Sequence, residues 1–173
     1  YMGGHISGAH YNPAVSIAVL MRGKMEGRDL VLYIIAQIFG AILASLAVRV
    51  IVGDTFASAP GADAGLVAVL LSEALFTFAL ALVILNVTTD DATAGNSFYG
   101  LAIGFTVMVG IFSVGPVSGG VFNPAVGMGP ILVDTFAGDG SLASLYIYLV
   151  GPILGGVAAA VVFDLQHLNA AEA

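Results

Sequence analysis

Residues 118–130 read Ser-Gly-Gly-Val-Phe-Asn-Pro-Ala-Val-Gly-Met-Gly-Pro, and residues 7–16 read Ser-Gly-Ala-His-Tyr-Asn-Pro-Ala-Val-Ser. Both are a glycine-containing approach, then Asn, then Pro. Asn is among the better helix N-caps, and Pro suits the first helical position, where its missing N–H has no partner to lose. Each stretch therefore predicts a loop feeding a short helix, with Asn12 and Asn123 at the junctions. The helices are expected from Pro13 to about residue 21 and from Pro124 to about residue 134. Neither is long enough to cross a bilayer core of about 30 Å, which takes about 20 residues.

The surrounding sequence is very apolar. Of 173 residues 59% are hydrophobic and 9% charged, against about a quarter charged in a soluble domain. With a mean hydropathy of +1.04, the environment is a lipid bilayer. The absence of cysteine excludes disulfide and thiolate chemistry. Four basic residues against a net charge of −7 make nucleic acid an unsuitable partner. No metal-ligand cluster, paired catalytic carboxylates or Gly-x-Ser-x-Gly appears, so no enzyme, metal or cofactor is expected. The sequence begins with Tyr1 and has no signal-like segment ahead of its first loop, which reads as the middle or end of a longer protein.

Four full spans are expected, at 30–52, 66–87, 98–114 and 142–163. Loops fill 1–11, 53–63 and 88–97, and a small polar tail holding His167 ends the chain. The fold class is thus an all-α membrane protein: four full transmembrane helices plus two re-entrant half-helices. Small residues four apart, at Gly40 and Ala44, Gly100 and Gly104, and Gly151 and Gly155, predict close helix packing.

Asn12 and Asn123 stand 111 positions apart, and the same offset aligns Ser7 with Ser118, Gly8 with Gly119, Val15 with Val126 and Gly40 with Gly151. Half-helix and following span therefore occur twice. Within one partial channel-like domain over 1–173, residues 1–52 end a first repeat and 66–163 form a second. Two further spans are expected ahead of the first. An odd number of full spans per repeat makes the copies inverted, which sets the short-helix tips at the bilayer midplane. Irregular backbone is tolerated there when it is buried in protein or lines a water-filled cavity. The loops at Gly8, Ala9, His10 and Tyr11, and at Gly119, Gly120, Val121 and Phe122, are expected to offer carbonyls to such a cavity.

Other polar residues in the apolar background need a reason. Glu73 stands in mid-span, where an ionisable group is costly and is functional or paired. Gln37 reads either as a brace for a loop or as a locally satisfied amide, and His10 either packs its loop or lines the path. Arg49 is expected to snorkel at a span end. Arg22, Lys24 and Arg28 cluster after the first half-helix, which assigns that side as cytoplasmic.

These motifs resemble the major intrinsic protein family, the aquaporins and aquaglyceroporins. The resemblance rests on His-Ile-Ser-Gly-Ala-His-Tyr-Asn-Pro-Ala-Val at 5–15, Phe-Asn-Pro-Ala-Val at 122–126, Gly-Pro-Ile-Leu-Gly-Gly at 151–156, and Glu73 in its span. It implies six spans and two half-helices per protomer, a pore in each protomer and a homotetramer. The pore motifs would be Asn12, Pro13 and Ala14 with Asn123, Pro124 and Ala125. Both Asn side chains would point N–H donors into the path. By motif position the outer constriction would use Ile111, Gly120 and Val126. Glu73 would brace the second loop by accepting backbone N–H bonds, with Gln37 in a similar role. The family usually carries Arg where this chain has Val126, and Ile and Val there are similar to the plant tonoplast-type branch. Gly127 stands where typical glycerol facilitators have Asp.

The resemblance implies passive conduction of water and small neutral solutes, such as urea, glycerol or ammonia, across a plasma or inner membrane. A broken-helix secondary transporter is the alternative, although Glu73 is the sole midplane acid available to it. A chain inactive on its own is a further one.

Overall fold

The computed structural model describes residues 1–170, with side chains as far as residue 167. The helices are α1 (Gly4–Ser7), α2 (Pro13–Met21), α3 (Gly27–Val52), α4 (Leu66–Thr88), α5 (Tyr99–Ser118), α6 (Pro124–Ala137) and α7 (Leu145–Ala170). Single 3₁₀ turns occupy Asp91–Thr93 and Leu142–Ser144. Four helical stretches are long and apolar enough to cross a membrane: Gly27–Val52, Leu66–Thr88, Tyr99–Ser118 and Leu142–His167. At 1.5 Å per residue, the nine residues of α2 reach only about 14 Å, less than half of a bilayer core.

Several boundaries move from those read in the sequence. Residues 1–11 are not all loop, because one turn, α1, is closed by Gly8 in the left-handed region with its N–H on the Gly4 carbonyl. A single turn leaves no periodicity to detect. The third span continues through Pro116 to Ser118, four residues beyond the expected stop at 114. There Gly119, at φ 90°, caps the helix, and the Gly61 N–H takes the Val117 carbonyl at 3.0 Å. Proline forfeits one donor, but the last turn is held from outside. The second half-helix likewise runs three residues past 134, to Ala137.

His167 belongs to α7 rather than to a tail. Its Nε2 lies 2.7 Å from Asp90 Oδ2, and its Nδ1 lies 2.8 Å from the Phe163 carbonyl. This contact ties the α4–α5 loop to the end of α7. Asp90 also accepts the Ala92 N–H; that bond, then the one from His167, holds its carboxyl below the ordinary carboxylate range. Arg22 lies 4.7 Å from the centre of the Phe163 ring on the same side of the molecule.

Two buried clusters hold the bundle. Val15, Ala18 and Val19 of α2 pack with Ala81 and Leu85 of α4 and with Ala159, Ala160 and Phe163 of α7. Val69 of α4, Ile131 of α6, and Ile147 and Tyr148 of α7 form the other. The half-helices cross over: α2 packs more on α7 than on α3, and α6 more on α3 than on α7.

Of the three small-residue pairs, Gly151 and Gly155 lie against α4, where a Cβ on Gly151 would stand 2.7 Å from Glu73 Cβ. Gly100 accommodates the Tyr1 ring instead, while Gly40 and Gly104 meet nothing within 4 Å. Spacing alone cannot choose among them, because it says nothing of which face has a partner. Gly156 against Ala14 of α2 and Gly129 against Ala41 of α3 are further close approaches outside the quoted pairs.

A side chain at Gly155 would run into the Ala74 carbonyl and stand 2.8 Å from the Phe78 nitrogen, both backbone atoms that cannot swing aside. Gly155→Val should therefore separate α4 from α7, at the overpacking cost of about 1–3 kcal/mol. A lowered thermal unfolding midpoint in detergent is the expected result, and an unchanged midpoint would show that this contact is dispensable.

Candidate functional site

The two loops share more than sequence. Gly8 and Gly119 have φ of 72° and 90°, Ala9 and Gly120 of 51° and 65°, and Tyr11 and Phe122 of 49° and 51°. Each pair is 111 positions apart. Ala9, Tyr11 and Phe122 occupy the left-handed region without being glycine, at roughly 1–3 kcal/mol each. Such a backbone persists only where its surroundings over-determine it.

The asparagines supply part of that determination. Asn12 Oδ1 accepts the Ala14 N–H at 2.9 Å, and Asn123 Oδ1 accepts the Ala125 and Val126 N–H groups at 3.0 and 3.4 Å. With its oxygen committed to its own helix, each amide turns its nitrogen to the other loop. Asn12 Nδ2 donates to the Phe122 carbonyl and Asn123 Nδ2 to the Tyr11 carbonyl, both at 2.9 Å. The N-terminal ends of α2 and α6 are thus laced together. One N–H of each amide thus has a protein acceptor, and the other remains.

Glu73 holds the second loop. Its Oε1 accepts Ser118 Oγ–H at 2.7 Å and the Val121 N–H at 3.0 Å, while Oε2 accepts the Phe122 N–H at 2.6 Å. Two tyrosines to which the sequence reading gave no bracing role act similarly. Tyr33 of α3 donates to the Ser7 carbonyl at 2.8 Å, and Tyr148 of α7 to the Ser118 carbonyl at 2.7 Å. Their signal was a phenol on an otherwise apolar span together with the Ser7 and Ser118 match. Gln37 does not reach the second loop; its Nε2 donates to Ser16 Oγ in α2 at 3.0 Å.

A cleft of about 950 Å³ runs from the α4–α5 loop, at Asp90, Thr93 and Asn96, to the paired asparagines. Gly8, Ala9, His10, Tyr11, Asn12 and Asn123 line it, opposite apolar Leu80, Ile84, Ile103 and Val107. Pro13, Ala14, Pro124 and Ala125 are buried behind the asparagines as the first turns of α2 and α6. Gly119, Gly120, Val121 and Phe122 do not border this cleft. Phe122 is buried against Phe76, its ring centre 5.5 Å away.

Ile111 and Gly120 are neighbours: a Cβ on Gly120 would stand 3.2 Å from Ile111 Cα. Val126 is half exposed, and its carbonyl accepts a long bond from Ser58 Oγ at 3.4 Å. Ser58 and Ala59 bring the 53–65 connector beside the second loop, a placement for which the turn-rich sequence carried no signal. Among the described residues, no three His, Asp or Glu side chains converge to hold a metal ion.

Residues 1–163 match the family model described as Major intrinsic protein. Aquaporin NIP1-1 of Zea mays is 41% identical, over 95% of this chain and 57% of its own length. Probable aquaporin AqpM of Archaeoglobus fulgidus is 42% identical, over 95% of this chain and 69% of that protein. Glycerol uptake facilitator protein-like 6 of Lactiplantibacillus plantarum is 41% identical, over 92% and 75%. The chain thus spans little more than half of the maize relative. The X-ray structure of the aquaglyceroporin from Plasmodium falciparum has the same fold, with a TM-score of 0.79 at 24% identity over 93% of this chain and 74% of that one.

Removing the Glu73 carboxylate strands the buried Phe122 N–H and the Val121 N–H. At about 1–3 kcal/mol for each stranded donor, Glu73→Ala should destabilise the protein by roughly 2–6 kcal/mol. Hydrogen exchange across residues 119–123 should accelerate. Glu73→Gln keeps one acceptor oxygen and should fall between. Unchanged exchange in Glu73→Ala would mean that the loop is held by something else.

Proposed function

Because this chain belongs to the major intrinsic protein family, we propose that the protein is a passive channel for water and small neutral solutes, with its path between the two Asn-Pro-Ala loops. It is an integral, multi-pass membrane protein. The observation that carries the reading is the crossed pair of bonds, Asn12 to Phe122 and Asn123 to Tyr11, at the floor of the cleft. It supports a junction where two half-helix N-termini meet. Each terminus carries roughly half a positive charge from its peptide dipoles, which opposes cations and protons. The second N–H of each asparagine is the donor for a passing water or hydroxyl. Opposite it, Leu80, Ile103 and Val107 limit the width and form no hydrogen bonds. No bond is made or broken in the solute.

The outer constriction in this proposal is Ile111, Gly120 and Val126. None adds a charge or a donor side chain. Proton exclusion then rests on the helix dipoles and the asparagines, and the mouth is wider and less polar than a strict water filter. Urea, glycerol or ammonia should therefore pass as well as water. A homotetramer in a plasma or inner membrane completes the proposal, on the family resemblance. Residues 1–52 and 66–163 would be the two repeats whose half-helices meet.

Stopped-flow shrinkage of proteoliposomes bearing the intact protein should show water flux that needs no sodium or proton gradient. Gradient-dependent flux would favour a secondary transporter. Val126→Arg adds a fixed cation and a fork of donors to the mouth, so solute permeability should fall more than water permeability. Rejection of all three solutes by the wild type would refute the wide filter.

A further inference from the structure

Ser16, in the first turn of α2, is completely buried. Its hydroxyl oxygen touches three polar atoms: the Asn12 carbonyl oxygen at 3.2 Å, Gln37 Nε2 at 3.0 Å and His10 Nδ1 at 3.1 Å. A serine hydroxyl has one proton and two acceptor sites. A carbonyl oxygen can only accept, so the Asn12 contact takes the proton. Two lone pairs then face Gln37 and His10, and the Gln37 amide fills one. All three contacts are hydrogen bonds only when His10 Nδ1 carries a proton.

The other tautomer would draw the hydroxyl proton to Nδ1. It would turn the bare Ser16 Oγ toward the Asn12 carbonyl, which then keeps only the Ser16 N–H at 3.0 Å as its donor, so one contact of the three becomes a repulsion between two acceptors. Turning the Gln37 amide over changes nothing for the imidazole. Its oxygen would then take the Ser16 proton, and Nδ1 would still have to donate.

We propose that Ser16 is a positioning residue that holds His10 in the Nδ1–H tautomer and so presents its bare Nε2 as an acceptor to the cleft. Nε2 makes no hydrogen bond among the described residues, and His10 lines the cleft that reaches both asparagines. Gly8 leaves that edge open, since a Cβ there would stand 3.2 Å from Nε2. Tyr33, its ring centre 5.3 Å from that of the imidazole, packs beside it. Near the asparagine donors, Nε2 is a side-chain acceptor for molecules that bring N–H or O–H groups, such as water, ammonia or urea. That use rests on the channel reading; the tautomer does not.

The test is nitrogen NMR of the intact protein with ¹⁵N-histidine, at a pH of about 8, above the ordinary histidine pKa of about 6.5. The His10 signals are those lost in His10→Gln. Wild type should show a protonated Nδ1 and an unprotonated Nε2. In Ser16→Ala that preference should weaken roughly fivefold, the effect of one net hydrogen bond, and Ser16→Thr should keep it. An unprotonated Nδ1 in wild type overturns the proposal without any variant, as does an identical tautomer ratio in Ser16→Ala. In proteoliposomes, Ser16→Ala should lose water permeability and Ser16→Thr should retain it. A changed tautomer with unchanged flux would refute the acceptor's place in the path. A wild type without water flux would sink the channel reading and leave the tautomer result standing.

Discussion

The structure depends on one constraint: peptide groups that leave a helix inside an apolar protein still need partners. Without water, an unmet N–H or C=O costs several kcal/mol. The loops at 8–11 and 119–122 are irregular and hold three non-glycine residues at positive φ. They persist because Glu73, Tyr33, Tyr148 and the two asparagine amides meet their peptide groups from outside. Side chains from three helices and from the opposite loop thus take over the work that a helix does for itself.

That arrangement links the two halves in two ways. Hydrogen bonds cross at the tips, where each asparagine caps its own helix and donates to the other loop. Packing crosses along the shafts, with α2 on α7 and α6 on α3. Both need close backbones, hence glycine at 129 against Ala41 and at 156 against Ala14. In lipid no hydrophobic force favours helix on helix over helix on lipid, so fit and hydrogen bonds must hold the bundle. The same bonds leave one N–H on each asparagine and a loop face toward the cleft, so the scaffold and the proposed path are built from the same groups.

The polarity of the cleft follows from this economy. One wall is the first loop, Gly8 to Asn12, with Asn123, and the other is Leu80, Ile84, Ile103 and Val107, which have nothing to offer a solute but width. The cleft's charged groups, Lys24, Asp90 and Asp91, stand at the end away from the asparagines; Asp90 is paired with His167, and Arg22 lies over Phe163.

The sequence by itself determined the caps, the half-helices and the spans, because those follow from local rules. An Asn-Pro junction starts a helix whatever surrounds it, and a run of about 20 apolar residues needs a bilayer's thickness. The repeat of 111 was legible because both copies kept Ser, Gly, Asn, Pro, Ala and Val in register. Tertiary structure decided what is not local. Gly151 and Gly155 found a partner helix while Gly40 did not, and Gln37 bonded to Ser16 rather than to a loop. His167 joined α7 and reached Asp90, 77 positions away. A hydrogen bond or a close approach depends on which face meets which, and an apolar sequence in lipid leaves its faces chemically alike. Only the assembled bundle distinguishes them.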